Sequence, residues 1–241
     1  IDRDDLHVYQ PGLLFVPFGA YRESEIVKPR SRLFDPRVEV VLGEIDRIAP
    51  TENVVHVKGG RKLPYDVLVV ATGSRIVPEA TEGLTGEGWK KTSHEFYTLE
   101  GALALRDALA SFRGGRFVVN VMDMPIKCPV APLELAFLAE AYFTQRGMRD
   151  KVEMVYATPL EGAFTKPKAS AALSGMMGER GITVTGDFSV ASVDGGRKVL
   201  KAYDGREEPY DLLVTVPVHA GSEAIATSQM GDAAGFFPTH K

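Results

Sequence analysis

Residues 116–157 read RFVVNVMDMPIKCPVAPLELAFLAEAYFTQRGMRDKVEMVYA, and the class of the fold turns on this stretch. RFVVNVM (116–122) is an apolar run of strand length, the pattern of a strand covered on both faces. From Pro132 the run LELAFLAEAYFTQRG sets apolar residues on a helical period, with a proline in its first turn and Gly147 as its stop. KVEMVYA (151–157) reads as a second buried strand. Strand, loop, helix and strand make a unit that crosses over right-handed if its strands are parallel, so the chain is read as α/β. In such units the loop is usually glycine-rich. Here it is MPIKCPVAPLE (124–134), no glycine occurs from Arg116 to Arg146, and the loop carries the only cysteine of the chain.

Working outward, residues 94–111 (HEFYTLEGALALRDALAS) have helical spacing and are closed by Gly114-Gly115. Residues 38–57 alternate with period two about a proline-containing turn, the signature of a short antiparallel meander. The meander leads through Arg61-Lys62-Leu63-Pro64-Tyr65-Asp66 into VLVVA (67–71), an apolar run bounded by Thr72-Gly73-Ser74 that predicts a fully buried parallel strand. The last third repeats this arrangement. Gly195-Gly196-Arg197-Lys198 parallels Gly59-Gly60-Arg61-Lys62, and the triplets Pro64-Tyr65-Asp66 and Pro209-Tyr210-Asp211 lie 145 positions apart (209 minus 64). The repeat suggests two related nucleotide-fold modules, each with a meander and a buried strand.

Composition bounds the function. The chain has 241 residues, 44% hydrophobic and 25% charged, enough to bury a substantial core in one large or two modest domains. Its net charge is −4 and its basic residues are scattered among acidic ones, so nucleic acid is not an expected partner. No apolar run approaches the roughly 20 residues of a membrane-spanning helix. One cysteine excludes an internal disulfide and a cysteine-based zinc cage. His7, His56, His94, His219 and His240 show no metal-ligand spacing and read as ordinary polar residues; no metal site is expected. The chain opens on Ile1 followed by charged Asp2 to Asp5, which reads as the exit of a strand cut part-way, and GDAAGFFPTHK closes it without a helix end or a strand.

Three features carry chemistry. Pro129 and Pro132 supply no amide donors, so the loop of the second module is poorly suited to a dinucleotide phosphate and is not expected to bind NAD(P)H. Cys128 sits instead at a helix entrance next to Lys127, a setting that favours thiolate over thiol and makes it a candidate nucleophile. The bland alternative is an inert buried thiol. Glu134, in the first turn of that helix, reads as a carboxylate that complements the helix dipole.

An acidic strand end, a meander and an apolar strand ending in Ala71-Thr72-Gly73 resemble the flavin-binding half of the pyridine nucleotide-disulfide oxidoreductase superfamily. Lys127-Cys-Pro-Val-Ala-Pro-Leu-Glu134 resembles the Cys-Pro-x-x-Pro-x-Glu loop of its sulfide:quinone oxidoreductases and flavocytochrome c sulfide dehydrogenases. The resemblance implies two Rossmann-like modules with inserted meanders, both incomplete. These are a partial FAD-binding module (1–92), a second module with the redox-cysteine loop (93–220) and the start of a return to the first (221–241). It implies that FAD is the cofactor of the intact protein. Asp2, with Arg3, would meet the adenosine ribose, Ala71, Thr72 and Gly73 would allow close backbone approach to the dinucleotide, and Tyr9, Pro11 and Gly12 would lie near the flavin.

In that family the matching cysteine is one of two that flank the flavin and carry sulfur. Cys128 is therefore expected to be catalytic, with Glu134 as a proton acceptor. In Thr158-Pro-Leu-Glu-Gly-Ala-Phe-Thr165, Ala163 stands where many members have a histidine, so either Lys166, Glu134 or water would move the proton or the substrate is not sulfide. The partners so implied are sulfide or another small sulfur nucleophile and a quinone, in a homo-oligomer that is cytoplasmic or contacts a membrane peripherally through a carboxyl-terminal segment. The parent would be an enzyme and the 241-residue piece inactive. Two other readings stand beside this one, an NAD(P)H-dependent flavoprotein reductase and a catalytically idle binding module.

Overall fold

The computed structural model describes residues 1–238, which leaves His240 outside the described residues. The chain divides into two compact units: Ile1–Val8, Val27–Arg75 and the segment from Ala220 form one, Tyr9–Ile26 and Ile76–His219 the other. The sequence set boundaries near residues 92 and 220. The compact units place 76–92 and Tyr9–Ile26 with the second unit and begin the return to the first at Ala220.

In the first unit β1 (Leu6–Val8) pairs antiparallel with β2 (Val27–Pro29). β3 (Ile45–Ala49), β4 (Val54–Val57) and β5 (Lys62–Pro64) form an antiparallel meander, which the alternation placed over 38–57; residues 38–44 form no strand, and β5 supplies the third. Its inward residues Ile48 and Val55 pack with Ile225 of the short helix Glu223–Thr227, and Leu68 and Val70 lie against the same cluster. A strand β6 (Ser74–Ile76) follows near the boundary between the units.

The second unit begins with 3-10 turns at Gln10–Leu14 and Val16–Phe18 and the one-turn helix α1 (Glu23–Ile26). Strand β7 (Ser93–His94) precedes α2 (Leu99–Ser111), β8 (Gly115–Val121), α3 (Ala131–Gln145), β9 (Val152–Ala157), α4 (Pro167–Glu179) and β10 (Ile182–Thr185). A second meander, β11 (Val190–Asp194), β12 (Val199–Ala202) and β13 (Glu207–Pro209), leads into β14 (Leu212–Val216). The five-stranded sheet runs β10-β9-β8-β14-β7 and every pair in it is parallel.

Successive strand residues point to opposite faces, which explains the continuous apolar runs. Phe117, Val119 and Val121 pack with Leu105 of α2 and Leu133, Leu135 and Phe143 of α3. Val118, on the other face, packs with Leu200 of the meander and with Val155 and Leu213. Helices, parallel sheet and meander make three layers, the Rossmann-type α/β architecture that the sequence predicts.

Helix ends follow local chemistry. The Thr98 hydroxyl accepts from Gly101 N–H at 2.9 Å and caps α2. Gly147, at φ +63°, ends α3: Met148 N–H bonds Phe143 C=O and Gly147 N–H bonds Thr144 C=O, each at 3.0 Å.

The repeat is correct to the residue, with one correction. Adding 145 to the bounds of β3, β4 and β5 gives β11, β12 and β13, and the two meanders share their registers and their bulges. Asn53 and Lys198, at φ +54° and +55°, occupy equivalent left-handed positions. The Gly-Gly-Arg-Lys match is not part of this equivalence. Gly59-Gly60 turns β4 into β5, whereas Gly195-Gly196 turns β11 into β12.

The predicted buried strand at 67–71 does not form. The residues at its place in the second copy are β14, which pairs with β8 and β7. In the first copy no strand among the described residues pairs with 67–71, and Val67 and Val69 are 83% and 84% exposed. A strand pattern without a ladder leaves extended chain.

Candidate functional site

The crossover loop Met122–Val130 leaves β8 at the carboxyl edge of the parallel sheet, where open α/β sheets place their ligands. A cis peptide joins Met124 to Pro125, and Cys128 follows with φ +54°, a conformation uncommon outside glycine. Its carbonyl accepts from Ala131 N–H at 3.0 Å and from the Tyr97 hydroxyl at 3.3 Å. The side chain is exposed.

Cys128 lines a cavity of about 310 Å³ within the second unit. Gln10, Pro11, Leu13, Leu14 and Phe15 form one wall, Phe96 and Tyr97 another, and Lys127, Ala131 and Glu134 complete it. The lining is mostly apolar with a few polar groups, the composition of a small-molecule site. Glu134 is exposed in the first turn of α3. Lys127 is half-buried; burial pushes its ammonium below the usual lysine range, against the upward pull of negative charge at Cys128 and Glu95. Its Nζ lies 5.7 Å from the Tyr97 ring centre. Burial pushes the Tyr97 phenol far up, helped by charge at Cys128, so it stays a hydroxyl donor. The Tyr97 ring meets His219 edge to face, centroids 5.1 Å apart.

The cavity brings together Cys128, Glu134 and Pro11 of the residues singled out from sequence. Gly12 is buried, and a Cβ there would come within 2.6 Å of Ile26 Cγ2, so its smallness serves packing. Tyr9 is half-exposed at the entrance of the Gln10–Leu14 turn and does not line the cavity. Lys166 is exposed at the entrance of α4 and is likewise outside the lining, while Ala163 is buried.

Asp2, Arg3, Ala71, Thr72 and Gly73 lie in the other unit. Asp2 pairs with Arg30 at 3.0 Å and accepts from Arg3 N–H at 2.8 Å. Ala71 to Gly73 are exposed coil, with Gly73 at φ +68°. Among the described residues there is no group of three or more histidine, cysteine or acidic side chains that could hold a metal, and no helix long and apolar enough to cross a membrane.

The sequence reading missed Tyr97, Phe96 and His219. An aromatic pair ahead of a helix cap carries no distinctive signal. His219 carries one: it follows the buried strand β14 at the carboxyl edge of the parallel sheet, where polar residues gather at sites.

No family model matches the chain. The fold is nevertheless one of a known class, that of the solved Rossmann-type oxidoreductases. In sequence the chain is similar to the sulfide:quinone oxidoreductases. It is 26% identical to the mitochondrial sulfide:quinone oxidoreductase of Mus musculus over 248 aligned residues, covering 100% of this chain and 55% of that protein. The mitochondrial enzyme of Dictyostelium discoideum is 25% identical over 246 residues, covering 100% of this chain and 54% of that protein. The solved sulfide:quinone oxidoreductase of Aquifex aeolicus superposes with a TM-score of 0.85 at 21% identity, over 98% of this chain and 56% of that one. The chain thus spans about half the length of the curated relatives it matches.

Proposed function

We propose that this chain is the sulfur-handling part of an FAD-dependent sulfide:quinone oxidoreductase, in which Cys128 takes up sulfur at the rim of the apolar cavity. The observation that carries the reading is the exposed thiol, held in a left-handed turn on that rim beside a half-buried ammonium. A sulfur nucleophile attacks the disulfide that Cys128 forms with a second cysteine of the intact protein: the S–S bond between the cysteines breaks, the incoming sulfur stays on Cys128 as a persulfide, and the second cysteine leaves as a thiolate. Hydrosulfide is oxidised by two electrons to zero-valent sulfur with release of a proton, and a quinone takes up two electrons and two protons. Lys127 supplies positive potential where sulfur carries negative charge, and Glu134, in the same cavity wall, receives the proton. The apolar side chains of Leu13, Leu14, Phe15 and Phe96 limit water around the sulfur.

The residues present fit a flavin dinucleotide. An ionised carboxylate offers about four acceptor sites, and Asp2 uses two of them on Arg30 and Arg3 N–H. A Cβ added at Gly73 would meet no atom within 4 Å, so that side of the backbone is open. FAD bound through Asp2, Arg3 and Ala71 to Gly73 would supply the two-electron acceptor chemistry that links sulfur to quinone. Peripheral membrane contact, in keeping with a quinone acceptor, and homo-oligomeric assembly belong to the same proposal, while a cytoplasmic enzyme is its alternative.

The test is to load the intact protein that contains this chain with FAD, titrate it with sulfide and a short-chain quinone, and follow flavin absorbance. Sulfide should bleach the flavin and quinone restore it, and Cys128→Ser should abolish the sulfide response. Rapid bleaching by NADH with none by sulfide overturns the reading in favour of a nicotinamide-dependent reductase.

A further inference from the structure

Four groups converge on Tyr97. Its hydroxyl donates to Cys128 C=O at 3.3 Å, the Lys127 ammonium lies 5.7 Å from its ring centre, and the rings of Phe96 and His219 lie at 4.8 and 5.1 Å. The residue is itself anchored through its N–H, which donates to the Glu95 carboxylate at 2.5 Å. Glu95 is buried, and it also accepts from Thr98 N–H at 3.0 Å and from the Thr98 hydroxyl, so Tyr97 is tied to the start of α2.

We propose that Tyr97, backed by His219, is the positioning residue of the cysteine site: its hydroxyl holds the left-handed turn at Cys128, and its ring stations the Lys127 ammonium at the cavity that the thiol shares. The assignment of sulfur chemistry to that thiol rests on the function proposed above; the positioning itself does not.

The physical case has three parts. A cysteine in the left-handed region costs on the order of 1 kcal/mol and persists only where neighbours fix it. Here the two donors to its carbonyl, Ala131 N–H and Tyr97 Oη, are those neighbours. A half-buried ammonium loses hydration and needs a counterpart. The ring face of Tyr97 supplies one, with negative charge at Glu95 and Cys128 acting in the same sense.

His219 completes the arrangement. Its Nδ1 faces Pro217 C=O at 3.0 Å, and a carbonyl only accepts, so Nδ1 carries the proton. Nε2 is then a bare lone pair, buried and without a hydrogen-bond partner, in a residue only 6% exposed. Burial and the Lys127 charge both keep the imidazole neutral, which leaves Lys127 as the cation at the ring.

Cys128 is the sole thiol of the chain, so alkylation reports on it alone. The experiment compares its rate with anionic iodoacetate and with neutral iodoacetamide, the thiolate displacing iodide in both. The ratio of the two rates senses a nearby cation, whereas a merely loosened loop changes both rates alike. Lys127→Met should lower the ratio about two- to fivefold, the size expected when one solvent-screened unit charge several ångströms from the thiolate is removed. Tyr97→Leu should lower it to the same level, and the double variant no further. Tyr97→Phe and His219→Phe, which keep the rings, should keep the ratio, while Tyr97→Phe, which frees the turn at Cys128, should shift both rates alike.

The proposal is overturned if Tyr97→Leu retains the wild-type ratio, if Lys127→Met leaves it unchanged, if the two losses add, or if Tyr97→Phe lowers it. Should circular dichroism show that Tyr97→Leu is unfolded, Lys127→Met and Tyr97→Phe still decide. Neither reagent involves flavin or sulfide. Expected ratios in a protein that does not couple sulfide to quinone would sink the functional reading alone, and the reverse pattern would sink the positioning alone.

Discussion

Cys128 combines an exposed thiol with a backbone conformation that a side chain resists. Glycine at this position removes the left-handed penalty but adds freedom to the unfolded chain, and the two effects are each about 1 kcal/mol. Cys128→Gly should therefore leave denaturant stability within about 1 kcal/mol of wild type while abolishing alkylation. Cys128→Val, β-branched at φ +54°, should cost more than about 1 kcal/mol. Equal stability of the two variants would show that the turn carries no strain. The conformation was not legible in the sequence, because Cys-Pro-Val-Ala-Pro names no left-handed residue. The entrance of a helix was legible, since Pro132 and the periodic run after it are local signals.

At the scale of the element, α2 shows how a buried carboxylate can serve a helix. Glu95 gathers two backbone amides and the Thr98 hydroxyl, and a Cβ on Gly101 would collide with its carboxylate. Thr98→Ala should destabilise by about 1 kcal/mol, the usual loss of a cap. Gly101→Ala should cost more, about 2 kcal/mol or above, because it displaces a buried hydrogen-bonded acid. Urea titration of both variants checks the order, and a harmless Gly101→Ala would contradict the packing described. Elements carried by period and by end signals, such as β8, α3, β9 and the two meanders, were read correctly from sequence for that reason. The run 67–71 has the same apolar character as β14 and failed, because a parallel strand exists only by virtue of neighbours that are distant in sequence.

For the whole molecule, acid sensitivity follows from histidines that the sequence reading took for ordinary polar residues. Burial holds both His94 and His219 below their usual range, and each keeps one ring nitrogen without a partner. Below about pH 6.5 the unfolded chain takes up protons that these folded sites refuse, so their effect on stability is nil at higher pH and turns destabilising as pH falls through that value. Each site contributes a slope of up to about 1.4 kcal/mol per pH unit. Glu95, pushed up by burial, acts with the opposite sign as pH rises from about 4.5. The histidine share is therefore read as a difference: His94→Asn should flatten the decline between about pH 6.5 and 5, and an unchanged slope would exclude His94 as its source.

The unladdered run at 67–71 also sets where the polypeptide is open to cutting. Peptide bonds in a parallel strand are shielded by their ladder, and β14 has that shield on both edges. Val67 to Val70 have the apolar side chains that thermolysin selects, on backbone that among the described residues has no cross-strand bonds to break first. Brief digestion should clip the folded chain there and leave β14 intact. An equal rate of cleavage at the two places would mean that the second copy is no better protected than the first.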